Sequence, residues 1–439
     1  MLNKTSGVES NTTEPASHHN DRINRADRLR KRKFWRRRAT ALLLVLGVGY
    51  IIFALSAPLP ALRIEGAISA SFVKASPATP AWPEPTTGAS AALGVLNKDQ
   101  ILTSSTDDMP RPMASITKVV TTLVVLEAQP ITGDEAGPAI AFSDKDSSIR
   151  DRIAGENGST LPVFPGRSLS ERELLTGVLV ASANNYAEQI AVWAYGSVED
   201  YLTAAQEWLV KNGLTSIQVV DPTGLDPQNV ASPGDLIRLA KIALENPVVS
   251  ELVSLETASI PLVGTIEATN TLLGRDGFRG VKTGTLDESG YCLLFARDLS
   301  IDGESVTVVG VVMGAESRGI RDDLALQLGL SLDDNLVREE VIGERNKVAA
   351  LTSAWDETVD VVTEASVSTI LWNGEGVTTS YDLTGPHRTV TRGEEVGVAT
   401  TAPSTAPVRL ITTDEITAPG FGWRLSHPFD LLSGLWNRG

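Results

Sequence analysis

The spacing of apolar and polar positions divides the chain into stretches of different character. Residues 39–62, ATALLLVLGVGYIIFALSAPLPAL, contain no charged side chain. The 19 residues up to Ala57 are enough to cross a hydrocarbon core of about 30 Å at about 1.5 Å of rise per helical residue. A basic run over 28–38 precedes them. Lys and Arg on that side predict a cytoplasmic N-terminus and an exported body, a single-pass arrangement. A cleaved signal peptide is the rival. Its apolar core ordinarily spans about 7–15 residues, so the longer run favours a retained transmembrane anchor. Residues 63–88, rich in Pro, Ala, Ser and Thr, read as an extended tether.

Beyond the tether, strand-like and helix-like periods alternate. Residues 91–96 and 100–103 flank Asn97-Lys98-Asp99 as a hairpin. Helical patterns run over 115–128, 170–181, 183–195 and 198–212, the last stopped by Gly213. Ser232-Pro233-Gly234-Asp235 reads as a helix start, with Ser as cap and Pro in the first turn. The apolar stretches 291–297 and 306–313, joined through Ile301-Asp302-Gly303-Glu304, predict a central antiparallel hairpin. The mixture predicts an α/β domain over 89–345, an antiparallel sheet flanked by helices. From about residue 350, Thr, Val and Gly dominate and helical periodicity is missing, so 350–415 reads as a small β domain. The C-terminal segment 416–439 holds Trp423, Phe429, Leu431, Leu432, Leu435 and Trp436. Packing on the β domain is its expected role, with contact to a membrane surface as the alternative.

Charge is unevenly distributed. The net charge is −16, yet residues 1–38 hold 11 Lys or Arg against 4 Asp or Glu, leaving 27 against 50 in the rest. Phosphates would repel an acidic body under a basic head, so a nucleic-acid partner is not expected. Cys292 is the sole cysteine, which excludes an intramolecular disulfide. The four histidines are His18, His19, His387 and His427. The domain over 89–345 therefore has no histidine for a Ser-His-Asp or Cys-His arrangement or for the usual His-based zinc site. No Gly-rich loop is followed by Lys in the P-loop pattern. Neither a cofactor nor a metal is expected, and an enzymatic base in this domain would be Lys or a carboxylate.

Ser115-Ile116-Thr117-Lys118 supplies such a pair. At i and i+3 on a helix the two side chains share a face, so the amine reaches the hydroxyl. An ordinary lysine, with a pKa of about 10.4, is a poor base at neutral pH; burial and nearby positive charge lower it. Ser71-Phe72-Val73-Lys74 has the same spacing and is read as a chance match in the tether. Two further signals are Ser182-Ala183-Asn184 and Lys282-Thr283-Gly284, followed by Thr285. Each occurs once, and each alone is more often surface decoration than catalysis. Ordered Ser-x-x-Lys, Ser-x-Asn, Lys-Thr-Gly, the three together are the signature of penicillin-binding proteins and class A β-lactamases.

On those motifs the sequence resembles the D-alanyl-D-alanine carboxypeptidases of the low-molecular-weight penicillin-binding class. The supporting stretches are MASITKVVTTLVVLE, ASANNYAEQIA, DPTGLDPQNVASPGDLIRLAKIAL and GVKTGTLDESGYCLLFA. The likeness is close over 89–330 and looser through the β domain to residues 423–428. It implies a β-lactamase/transpeptidase-like fold. It also implies penicillin-sensitive removal of the terminal D-alanine from peptidoglycan stem peptides through an acyl-enzyme. In that scheme Ser115 is the nucleophile, Lys118 its base, and Asn184 holds Lys118 and the substrate amide. Ser182, with Lys282 beside it, relays a proton to the departing D-alanine. Lys282 and Thr283 attract the terminal carboxylate, and Gly284 leaves room for substrate along a strand edge. The N–H groups of Ser115 and Thr285 form an oxyanion hole. Arg321 matches a family basic residue near the carboxylate, with a surface helix arginine as the alternative. The implied partners are a stem peptide ending in D-Ala-D-Ala, β-lactam antibiotics as covalent inhibitors, and a membrane through the N-terminal helix.

Three departures from the family pattern stand out. Asn185 follows the Ser-x-Asn where Asp is frequent, Thr285 stands where some members have His, and the anchor is N-terminal rather than a C-terminal amphipathic helix. Three rival functions share the site. A class A β-lactamase needs a deacylating Glu in a Glu-x-x-x-Asn loop; Glu267 with Asn270 comes nearest but is one residue short. A penicillin-sensing receptor needs a cytoplasmic effector, and residues 1–38 are too short and basic for one. A DD-endopeptidase uses the same residues and differs only in what lies beyond the scissile bond.

Overall fold

The computed structural model describes residues 17–84, 88–104, 108–402 and 406–436. Two compact units emerge: Lys74–Glu339 with Thr369–Gly376, and Met1–Val73 with Glu340–Ser368 and Val377–Gly439.

The first unit is built on a five-stranded sheet. Its order is Phe278–Leu286, Gly290–Ile301, Glu304–Ala315, Ser90–Val95, Ile101–Thr103, with every neighbour antiparallel. Both expected hairpins are present. Phe278–Leu286 is an edge strand, so one of its sides has no neighbouring strand among the described residues. Strand alternation sends Leu294, Ala296, Val309 and Val311 to one core, with Leu236 and Ile237 of the helix Pro233–Glu245. Leu293, Phe295 and Val312 meet Ala325 and Leu328 of the helix Arg318–Leu330 on the other face.

The helical part centres on Thr117–Ala128, ten of whose residues are buried among Glu171–Leu179, Asn184–Tyr195 and Val198–Lys211. Its starts are chemically marked. Ser170 and Glu173 form a reciprocal capping box, and Ser232 Oγ accepts from Asp235 N–H behind Pro233. The helix Asp144–Gly155 left no apolar stripe to read, because Ile153 is its one buried side chain.

Glu171, in the first turn of its helix, is fully buried, and neither carboxylate oxygen is hydrogen-bonded among the described residues. Burial raises its pKa from 4.5 to about 7. The native state therefore keeps a proton that the unfolded chain releases sooner. The favourable contribution is complete below pH 4.5 and gone once the pH has risen through about 7. Glu171→Gln, which mimics the protonated acid, is expected to raise the melting temperature by about 2–4 °C at pH 8 and to change it little at pH 5. Equal shifts at the two pH values, read by calorimetry, would refute the account.

The second unit contains most of a seven-stranded sheet in the order Arg63–Glu65, Lys347–Thr352, Thr358–Thr363, Val408–Thr412, Glu395–Ala402, Gly376–Leu383, Ala70–Lys74. Its core includes Leu62, Val348, Leu351, Val361, Val396 and Leu410. The expectation of a tether over 63–88 needs correction here, because Arg63–Glu65 and Ala70–Lys74 are the two outer strands of this sheet. Pro is concentrated in the later half of the segment. Averaging over the whole hides the strand-compatible LRIEGAISASFVK in the earlier half. Ser71 and Lys74 consequently lie on a strand, three residues apart on opposite faces, which removes them as a catalytic pair.

A helix spans Ser17–Ser56, and its part Arg30–Ser56 is long and apolar enough to cross a membrane. Anchors and signal sequences share those properties. Two short helices, Phe421–Ser426 and Pro428–Trp436, pack against its last turn rather than only on the β sheet. Leu431 is buried with Ala54, Ala57 and Leu59. Tyr50 donates to Leu425 O (2.5 Å), and Arg424 Nη1 donates to Ala54 O and Ala57 O, both at 3.1 Å. Those carbonyls end the long helix and lack intrahelical partners, which the guanidinium supplies.

Candidate active site

Ser115 lies in a single 3₁₀ turn, Ala114–Ile116, which leads into the helix Thr117–Ala128. Ala114, immediately before it, has φ +48°. A left-handed alanine is costly, and surrounding packing must hold it there. Gly224 and Gly284 permit that packing. A Cβ on Gly224, itself at φ +82°, would lie 2.0 Å from Ala114 O, and one on Gly284 would lie 2.7 Å from Met113 O and 3.3 Å from Ser115 N. The strand carrying Lys282-Thr283-Gly284 thus runs against the backbone of the serine turn, as close as two backbones allow.

Lys118 Nζ lies 2.8 Å from Ser115 Oγ, 2.6 Å from Asn184 Oδ1 and 2.5 Å from Thr223 O. Asn184 Nδ2 donates to Ser159 O at 3.1 Å, which fixes Oδ1 toward the lysine. Lys118 is fully buried. Burial, and then the charge of Lys282, bring its pKa well below 10.5, against a smaller opposing pull from Asp221. A neutral amine has two N–H groups and one lone pair. Asn184 Oδ1 and Thr223 O accept only, so they take both N–H groups, and the lone pair is left facing the Ser115 hydroxyl.

Ser182 precedes the helix Asn184–Tyr195 and has φ +60°. It is a second strained residue in one site, and its side chain is buried. Lys282 and Thr283 are buried on the edge strand, Lys282 with 1% exposure. Lys282 Nζ donates to Thr283 O at 3.1 Å, and burial together with the Arg321 charge brings its pKa down to about 7. Thr285, next along the strand, is exposed. Arg321 is only 2% exposed, which sets aside the surface reading. Its Nε and Nη2 hold Asp322 Oδ1 at 2.8 and 2.6 Å, so the planar fork is fixed. A cavity of about 340 Å³ is lined by Ser115, Asn184, Gly224 and Thr285 together with residues of the 156–159 and 286–288 segments.

Three contributors escaped the sequence reading. Thr223 supplies the carbonyl for Lys118. Asp221 organises the loop that presents it, accepting from the N–H groups of Thr223, Gly224 and Asp226 (2.6, 2.8 and 2.9 Å) and from Asn229 Nδ2. Thr269 Oγ1 lies 2.6 Å from Thr283 Oγ1. The Asp-Pro-Thr-Gly string signals a tight turn, but nothing in it says that a carbonyl of the turn meets Lys118. Glu267 is exposed, and Asn270 is occupied with Gly280 O and Leu272 N–H, so this pair has a structural task instead. No group of three or more His, Cys, Asp or Glu that would hold a metal occurs among the described residues.

The chain is similar to several known proteins. A D-alanyl-D-alanine endopeptidase of Haemophilus influenzae is 30% identical over 218 residues, 48% of this chain and 71% of the relative. A D-alanyl-D-alanine carboxypeptidase of Streptomyces sp. is 27% identical over 281 residues, 60% of this chain and 92% of the relative. A peptidoglycan synthesis regulatory factor (PBP3) from Streptococcus pneumoniae shares the fold at TM-score 0.54 and 22% identity, covering 74% of this chain and 98% of that one. The family described as D-alanyl-D-alanine carboxypeptidase matches over residues 78–317. This chain belongs to that family of serine peptidases.

Proposed function

We propose that the protein removes the terminal D-alanine from peptidoglycan stem peptides through an acyl-enzyme on Ser115. The observation that carries this is the buried Lys118 amine, with both N–H groups engaged and its lone pair toward the Ser115 hydroxyl. In the first step Lys118 takes the hydroxyl proton as Oγ bonds to the carbonyl carbon between the two D-alanines. The developing oxyanion is held by the Ser115 and Thr285 N–H groups, each worth about 10²–10³ in rate. The proton passes through Ser182, beside Lys282, to the departing amine, and the C–N bond breaks. Water then attacks the ester carbonyl and gives a proton to Lys118, which passes it to Ser115 Oγ as the ester C–O bond breaks and the free serine and neutral lysine return. Lys282, Thr283 and Arg321 hold the terminal carboxylate of the substrate.

The chain is proposed to sit in the membrane as a single pass through the uncharged run that begins at residue 39, in the later part of the helix Ser17–Ser56, with the basic segment inside the cell and the catalytic unit outside. β-Lactams are proposed to acylate the same serine.

The test is D-alanine release from diacetyl-Lys-D-Ala-D-Ala by the detergent-solubilised chain, with and without penicillin. Penicillin-sensitive release supports the assignment. Absence of release, with cleavage of a cross-linked muropeptide instead, moves the assignment to an endopeptidase, the activity named for the Haemophilus influenzae relative.

A pH profile separates the two lysines. Catalysis by neutral Lys118 is lost as the pH falls through its depressed pKa. Carboxylate binding by charged Lys282 is lost as the pH rises through about 7. The Arg321 charge pushes the Lys282 pKa down, so Arg321→Gln is expected to move the alkaline limb of kcat/KM to higher pH while KM rises. An unmoved alkaline limb would reject Lys282 as its origin.

A further inference from the structure

Lys282, Thr283 and Arg321 are the residues proposed to hold the terminal carboxylate, and Thr283 is the neutral one of the three. Its hydroxyl carries a single proton, so its worth to an anion depends on where that proton points. Thr283 is buried on the edge strand, and its Oγ1 lies 2.6 Å from Thr269 Oγ1. Each hydroxyl is the other's sole hydrogen-bond partner among the described residues. One proton fills the gap between them, and the other is free to turn elsewhere. With Thr283 as donor, only its lone pairs face the cleft, and they repel an anion. With Thr269 as donor, the Thr283 proton is released to the cleft. A carboxylate only accepts, so its arrival selects the second arrangement, a chain from Thr269 to Thr283 to the carboxylate in which each bond strengthens the next.

Thr269 is held where this chain needs it. Its neighbour Asn270 is buried, with Nδ2 donating to Gly280 O at 3.1 Å and Oδ1 accepting from Leu272 N–H at 3.0 Å. The Thr269 N–H points to Val180 O at 3.4 Å, two residues before Ser182. The segment is thus tied on one side to the strand of Lys282 and Thr283 and on the other to the turn that carries Ser182. Between these elements lies a crevice of about 10 Å³, lined by Val180, Thr269, Lys282 and Thr283 with their apolar neighbours. A single water needs at least about 10–15 Å³, so solvent is poorly placed to take over from the Thr269 hydroxyl. We propose that Thr269 is a positioning residue of the reaction: it donates to Thr283 Oγ1, turns the Thr283 proton toward the substrate carboxylate, and so favours substrates that end in a free acid. The proposal rests on the carboxypeptidase assignment and deepens it to how that acid is recognised. Thr269 acts through Thr283 on a group remote from the scissile bond, so bound substrate and transition state gain alike.

The detergent-solubilised full chain is assayed on two thioesters. Benzoyl-D-alanyl thioglycolate ends in a carboxylate, and the benzoyl-D-alanyl S-ethyl thioester ends in a methyl group at the same place. The activated bond gives the second a measurable rate without the carboxylate contact. Thr269→Val, equal in shape but without the hydroxyl, is expected to raise KM for the thioglycolate about fivefold, the scale of one net hydrogen bond, and to alter kcat by less than about twofold. The S-ethyl thioester is expected to lose less than about twofold in kcat/KM. Thr269→Ser restores the donor and is expected to restore the KM. An unchanged KM in Thr269→Val, an equal loss on both thioesters, or a serine variant as impaired as the valine one would each overturn the proposal. Failure of the unaltered enzyme to cleave either thioester would instead overturn the carboxypeptidase assignment beneath it.

Discussion

Replacing Ser115 by alanine is expected to abolish covalent labelling by a fluorescent penicillin and to reduce D-alanine release to background, a loss of roughly 10⁴-fold or more. The magnitude follows from the chemistry rather than from binding. Without Oγ no acyl-enzyme forms at this residue, and the N–H groups proposed as oxyanion donors, with the lysine proposed to bind the carboxylate, have no intermediate to stabilise. The fold should persist, because Ser115 sits at the cleft and its hydroxyl contacts only Lys118 among the described residues. Undiminished labelling would place the nucleophile elsewhere. The only other Ser-x-x-Lys, at Ser71 and Lys74, lies on a strand and offers no substitute.

Replacing Lys118 by alanine is expected to slow acylation by about 10²–10⁴-fold while leaving a folded protein. The substitution leaves Asn184 Oδ1 and Thr223 O without their donor, at a cost of about 1–3 kcal/mol each where no water enters. Removal of a buried amine offsets part of that cost. Arginine separates a base from a mere positive charge. Lys118→Arg retains donors but cannot be deprotonated, so it is expected to fail as completely as alanine. Burst kinetics with a chromogenic cephalosporin measures the acylation rate directly. A near-normal rate in either variant would reject Lys118 as the base.

Much of this site was legible because its chemistry is local in sequence. Ser115 and Lys118 are one helical turn apart, and the absence of histidine from the domain leaves few other bases. Lys282, Thr283 and Gly284 are consecutive on a strand whose apolar neighbour begins soon after. What was not legible depends on distance along the chain. Thr223 reaches Lys118 through a backbone carbonyl, which leaves no trace in the identity of a side chain. Arg321 had equal claims as a surface residue, and only packing shows it buried. The strands at 63–65 and 70–74 were masked by the proline-rich residues after them, and their pairing partners lie hundreds of positions away at 347–352 and 376–383. Composition cannot report such pairings, because what creates a sheet edge is the tertiary fold.

The clasp between the C-terminal helices and the end of the long N-terminal helix has a practical consequence for producing the enzyme. Trimming the long N-terminal helix, whose part Arg30–Ser56 is apolar enough to cross a membrane, is an obvious step toward a protein that needs no detergent, with a cut near residue 63. That cut removes Leu62 from the β-sheet core and Ala54, Ala57 and Leu59 from around Leu431. Arg424 loses the carbonyls it caps, and Phe429 and Trp436, already exposed, gain newly bared apolar neighbours. A shortened protein of that kind is expected to self-associate even with an intact catalytic unit. Removing residues 421–436 together with the long N-terminal helix, and starting ahead of Leu62, takes away both halves of the clasp and should restore a monodisperse preparation.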